Sequence, residues 1–322
     1  ELPGSETRIG YTQQIPPMPE PDHRNPRFLI KPHPAAVQSR LGGAHISNHE
    51  EVKSRMVGRF REAPLVAFTL LAQMAVGAFL LIGIWGLLNR SMEASGFFQN
   101  SSVTLYSIGA LLLISLLISF SHLGNPGNAW RMLSHLKKSW LSREILFTSW
   151  FGIFWAGTVI LEIFKAGNFL QFLLWAITSL IGLVAIWSMS RVYRLKTIPT
   201  WNTKYTAAAF FTSTFLLGTL WAGMLQLFSN PSQRIYSSYT AVSGLIGALF
   251  FMLALLLSQT FGNSRAHQFQ KLRMGLILAG FCGSIMVVIL PVMFGIWILG
   301  FVFILAGFEE VLGRIMFYES RQ

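Results

Sequence analysis

Charge is what this chain has least of. Of its 322 residues only 12% are charged, about half the share of an ordinary soluble domain, while 52% are hydrophobic and the mean hydropathy is +0.51. That balance excludes most soluble classes and puts the chain in a bilayer. Cysteine is nearly absent too. Cys282 alone rules out an internal disulfide, and it rules out a resident iron–sulfur cluster, which takes about four thiolates. The chain lacks an N-terminal methionine and an apolar leader, so Glu1 is expected to be a processed or cut end. Phosphate-cradling Gly-Lys-Ser/Thr loops, HExxH and nucleophile–base motifs are missing as well, and no nucleic-acid module is expected.

Histidine is scarce in a way that matters. A b-type haem hangs from paired imidazoles on facing helices. Four of the seven histidines (His23, His33, His45, His49) sit in the N-terminal segment, His135 in a loop and His267 after a span, which leaves His122 as the single one ending a membrane helix. The polypeptide is therefore expected to hold no haem and no iron–sulfur cluster. Its chemistry must come from small ligands, protons or neighbours.

What is present divides at Pro64. Residues 1–63 hold most of the 13 prolines, nine Lys/Arg and no core-forming apolar run, and read as an extended basic tail that contacts a partner subunit. Residues 64–322 read as an all-α membrane domain. Uncharged stretches of about 17 to 25 residues between loop signals predict eight transmembrane helices: 64–88, 102–121, 144–164, 168–191, 205–228, 238–259, 272–290 and 292–312. The last two come from 35 uncharged residues, Met274 to Phe308. As one helix these would reach roughly 52 Å, far beyond about 30 Å of hydrocarbon, and Pro291 is the natural cut.

With eight spans both termini share a side. The tail, the loops after spans two, four and six, and the C-terminus carry 22 of the 25 Lys/Arg; Arg90, Lys165 and Arg234 are left for the other side. The positive-inside rule then puts both termini in the cytoplasm, in the inner membrane. A basic rim can equally be a docking surface for an acidic subunit.

Ionisable residues at helix ends are the functional candidates, because each is costly in a bilayer unless it has a purpose. His122, Arg131, Glu144, Arg191, Glu310 and Arg314 all fall on the basic face. Glu310, Arg314 and Tyr318 are spaced i, i+4, i+8, so they share one helix face, and Glu310 can pair with Arg314 as a structural ion pair. Such groups near the membrane surface suit a quinone head group, whose two oxygens take hydrogen bonds and whose two protons must be moved. Thr69 and Gln73, one turn apart in span one, read as interhelical hydrogen-bond partners.

Taken in order, several segments resemble the membrane-anchor subunit of the dimethyl sulfoxide reductase family, within the polysulfide-reductase type of quinol-interacting anchors. They are Glu62-Ala-Pro64-Leu65 with Phe68, Thr69 and Gln73; His122-Leu-Gly-Asn-Pro126 with Ala129; Leu141-Ser-Arg-Glu144-Ile; Arg191-Val-Tyr193 and Pro199-Thr-Trp201; and Glu310-Val-Leu-Gly313-Arg314 with Phe317-Tyr318. The resemblance implies an eight-helix anchor without haem that binds a quinol, menaquinone or ubiquinone. The quinol site would face a ferredoxin-like iron–sulfur subunit, itself docked to a molybdopterin catalytic subunit. The histidine tied to quinol binding in the family falls on His122, and the motif glutamate on Glu144. The basic tail is longer than the family's usual start; its Arg27-to-Lys31 stretch is either the end of a fused iron–sulfur subunit or an arm lying on one. On this reading the polypeptide does not catalyse the terminal reaction but supplies the quinone-reactive site of an oxidoreductase in a respiratory chain. The same anchor in a cytoplasm-facing sulfite-type dehydrogenase that reduces quinone is the first alternative. A secondary transporter, which would want ionisable or unwound segments at mid-span, is the second.

Overall fold

The computed structural model describes residues 48–89, 97–98, 101–121, 136–137, 139–195, 201–229, 234–260, 267–290 and 292–319. These form eight α-helices: α1 (Asn48–Asn89), α2 (Ser102–Ser121), α3 (Trp140–Ile163), α4 (Asn168–Tyr193), α5 (Lys204–Ser229), α6 (Arg234–Thr260), α7 (His267–Ile289) and α8 (Val292–Glu319). Seven are long and apolar enough to cross a membrane, and α6 adds the apolar stretch Ile246–Ser258. No strand occurs among the described residues. The protein is a polytopic all-α membrane protein.

Two units are distinguished along the sequence, Glu1–Phe60 and Arg61–Gln322. Of the first, only the start of α1 is described. That start lies inside the segment expected to be an extended tail, and Pro64 sits within α1 instead of opening it. The reason is local: residues 48–62 hold three Glu, three Arg, one Lys and one Met, good helix formers whose summed propensity outweighs the one backbone hydrogen bond that proline removes. Two other ends also move. Ser139 caps α3 by accepting from the Ser142 N–H, so Glu144 lies in the second turn and not at the start. Helix α8 runs on to Glu319, which keeps Arg314 and Phe317 helical.

In the second unit α1 is the central helix. Of its apolar window 83% is buried, against 22% for α3. Four neighbours meet it through specific contacts. The Ser115 hydroxyl on α2 donates to the Phe68 carbonyl at 3.3 Å. Phe151 of α3 sits edge-on to Phe79, centroids 5.6 Å apart. The Trp175 indole of α4 donates to the Phe79 carbonyl at 3.1 Å. Against α5 the backbones themselves touch, because Gly77 faces Thr214 and Gly218. The outer helices pack in sequence order, α3 on α4, α5 on α6, α6 on α7 and α7 on α8, and α8 returns to α5. Lys165, at φ 49°, turns the backbone between α3 and α4, a left-handed position that a lysine accepts only in a tight turn.

Candidate functional site

Helix direction alternates along the bundle, so the starts of α3, α5 and α7 share an end with the finishes of α2, α4, α6 and α8. Among the described residues the buried ionisable side chains gather at that end, the one that carries the basic loops. On α8, Glu309 is fully buried, Glu310 is 6% exposed and Arg314 is 8% exposed. Arg314 donates to the Gln73 amide oxygen at 3.1 Å, and its guanidinium lies 3.7 Å from the centre of the Phe210 ring. Gln73 in turn donates to the Phe210 carbonyl at 3.2 Å. One arginine and one glutamine thus tie α1, α5 and α8 together. The Gln73 expectation is met, whereas Thr69 donates to Val66 within its own helix.

The expected pairing of Glu310 with Arg314 is not what forms. Glu310 accepts instead from the Ser213 hydroxyl at 2.6 Å, and the ion pair joins Glu309 to Arg273 of α7 at 2.5 Å. Two adjacent residues on a helix point about 100° apart, so Glu309 faces α7 and Glu310 faces α5. Arg314 is drawn to Phe210 and Gln73 because α1 and α5 close over it. The second Glu309 oxygen is buried and accepts from no described group.

Glu144 is a further buried carboxylate among the described residues, 2% exposed in the second turn of α3. No hydrogen bond or ion pair reaches it from the described residues. Its depth follows from the Phe79–Phe151 contact. Gln73 is six residues from Phe79 and Glu144 seven from Phe151, both towards the basic face, or about 9 and about 10 Å along their helices. Glu144 and the Gln73–Arg314 pair therefore lie at one level of the bundle.

Arg191 is placed elsewhere. Its guanidinium packs on Trp140, 4.9 Å from the ring centre, and on Trp187 at 5.4 Å, at the outside of α3 and α4. His122 and Arg131 lie outside the described residues, as does the side chain of Tyr318. Above Arg314, Trp201 stacks on Phe317 with centroids 4.7 Å apart and donates to the Phe317 carbonyl at 2.8 Å, with Tyr193 against Phe210 at 5.3 Å. This aromatic lid walls off the end of the polar cluster.

Glu309, Arg273 and Ser213 escaped the sequence reading. A signal for two of them existed: Arg273 and Glu309 are each 18 residues from Pro291, so a helical hairpin turning there brings them level.

Fold and polar cluster together define a class, a multi-pass helical membrane protein whose ionisable side chains are buried at one end of the bundle. The model of the DMSO reductase anchor subunit family (DmsC) matches residues 56–319, and the chain belongs to that family. Among relatives, the anaerobic dimethyl sulfoxide reductase chain YnfH of Escherichia coli K12 is 29% identical over 281 residues, 80% of this chain and 94% of that one. The C chain of the anaerobic dimethyl sulfoxide reductase of Haemophilus influenzae is 35% identical over 181 residues, 54% of this protein and 61% of that one. The C subunit of the sulfite dehydrogenase of Allochromatium vinosum is 26% identical over 169 residues, 44% and 49%. No solved structure matches.

Proposed function

We propose that this protein anchors a molybdopterin oxidoreductase in the cytoplasmic membrane and binds the quinol whose electrons pass to the partner iron–sulfur subunit. The observation that carries the reading is Glu144: a carboxylate buried in a membrane helix, unmatched by any described side chain, at the level where Gln73 and Arg314 meet. A buried carboxyl without a partner is costly, and a hydroxyl-bearing head group is a suitable partner for it.

The residues fit such a head group. The carboxyl of Glu144 accepts from one quinol hydroxyl, and His122, which follows α2 directly in the sequence, takes the other at a ring nitrogen. Arg131 and Tyr318 supply donors at the mouth, while Glu310 and Arg314 hold the inner wall by fixing Ser213 and Gln73. Bound quinol supplies two electrons and two protons. His122 accepts one proton and Glu144 relays the second towards the basic face. The apolar rings of Trp201, Phe317 and Tyr193 cover the Arg314 side of the cluster and keep bulk water from it.

The family match and the charge bias support a docking face on the cytoplasmic side, with both termini there; reporter fusions to the C-terminus and to the α3–α4 loop test it. The test of the site is His122→Leu in membranes holding the assembled complex. Quinol turnover is lost while subunit assembly persists. An assembled complex with unimpaired turnover would leave the protein a structural anchor and end the proposal.

One relative favours a second reading. Likeness to the C subunit of a sulfite dehydrogenase suits the same site run towards quinone reduction, and sulfite-dependent quinone reduction by the purified complex decides between them.

A further inference from the structure

Acidic residues are sparse through the middle of the sequence. Between Glu93 and Glu309 the sequence contains only Glu144 and Glu162. Glu144 is buried, and Glu162 is 18 residues further along α3, about 27 Å away. The segments 122–143 and 191–204 carry four Lys/Arg each and no carboxylate.

Two of those cations are held in a defined way. Arg143 lies with its Cζ 4.2 Å from the centre of the Trp140 ring, and Arg191 with its own 4.9 Å from that centre. Trp187 meets Trp140 edge-on at 5.1 Å. Arg143 spends its Nε–H on the Leu136 carbonyl at 2.9 Å and one Nη2–H on the Lys137 carbonyl at 3.0 Å, which fixes the guanidinium and leaves its other N–H groups to donate. The Arg191 guanidinium donates to no described group. Two like charges on one indole repel until an anion stands between them. A phosphate diester, with two forked acceptor oxygens, matches guanidinium geometry.

The position of the pair selects the source of that phosphate. On α4 the exposed residues Ile177, Leu180 and Trp187 follow one lipid-facing stripe at helical spacing, and Arg191 ends it. On α3 Trp150, Ile153 and Ile160 do the same, and Arg143, seven residues before Trp150, ends that one. Both cations therefore cap apolar stripes that face acyl chains, at the level of a head group. We infer that Arg143 and Arg191, braced on Trp140, bind the phosphate of an anionic phospholipid whose acyl tails lie along α3 and α4. This does not depend on the quinol reading.

The test uses the detergent-purified complex, delipidated and titrated with phosphatidylglycerol or phosphatidylcholine under native mass spectrometry. Wild type takes up phosphatidylglycerol in preference, and Arg143→Gln with Arg191→Gln weakens that uptake by about tenfold or more while phosphatidylcholine uptake is unchanged. Arg143→Lys with Arg191→Lys keeps the charges but loses the fork, and falls between the two. Equal phosphatidylglycerol uptake by wild type and the glutamine pair overturns the proposal. So does displacement of the lipid by sodium phosphate, which makes the site one for free anions. A photo-crosslinker at position 187 that captures a partner subunit instead of lipid overturns it as well. A glutamine pair that fails to assemble leaves the lysine pair and the crosslinker to decide.

Discussion

The tight backbone approach of α1 to α5 offers a sharp perturbation, Gly77→Ala. A Cβ built at Gly77 would stand 1.9 Å from the Thr214 carbonyl oxygen, 2.9 Å from its carbon and 3.0 Å from the Gly218 Cα. All three are backbone atoms, so no side chain can swing away. Restoring ordinary contact takes a separation of about 1.5 Å between α1 and α5, and overpacking of that kind costs about 1–3 kcal/mol. One helical turn away, the Gln73–Phe210 hydrogen bond at 3.2 Å has little slack; stretching it past bonding distance adds about 1 kcal/mol. The expected loss is thus about 2 kcal/mol or more, at least roughly thirtyfold in the unfolding equilibrium. Gly152→Ala is the matched control, because nothing lies within 4 Å of a Cβ there; it should be neutral, or stabilising by up to about 1 kcal/mol from helix propensity. Unfolding titrations in mixed micelles, followed by tryptophan fluorescence, measure both. Equal stability of Gly77→Ala and wild type, or equal damage from the control, would refute the reasoning.

Other variants probe the cluster. Glu309→Ala leaves Arg273 without its carboxylate and should cost about 3 kcal/mol, the low end for a broken buried pair since Arg273 keeps some water. Adding Arg273→Leu should recover most of that in the same titration, and a double variant no better than the single would count against the pair. Trp201→Phe keeps the stack on Phe317 but removes the bond to its carbonyl, an expected loss of about 1 kcal/mol readable as a lowered thermal midpoint. Gln73→Leu strips Arg314 of its acceptor and Phe210 of its donor at once, so quinol turnover should fall along with stability; unchanged turnover would separate the pair from the quinol site.

Much of the architecture was legible because hydrocarbon imposes a blunt rule on sequence. Spans without charge have one length and one conformation available, so all eight helices were found, down to the break between Ile289 and Val292. The ends were harder. A proline reads as a start, yet α1 runs through Pro64, and the Ser139 cap placed α3 a turn earlier than its charged residue suggested. At the site, the alternation of helix direction put Glu144, Glu310 and Arg314 at one end correctly. The i, i+4 rule, though, paired Glu310 with Arg314, and that rule knows only one helix. Ser213 and Gln73 come from α5 and α1, 97 and 241 residues away, beyond any local spacing.

The order of residues along the sequence by itself determined that the protein is helical, spans a membrane many times, and crowds its basic residues on one face, since each follows from the cost of charge in lipid. The partners of those charges were decided by the tertiary structure. Only when α1 is enclosed by its neighbours does Arg314 turn to Gln73, Glu309 to Arg273 and Arg191 outward to Trp140. In a low-dielectric interior a buried polar group takes whichever partner packing brings within hydrogen-bond reach.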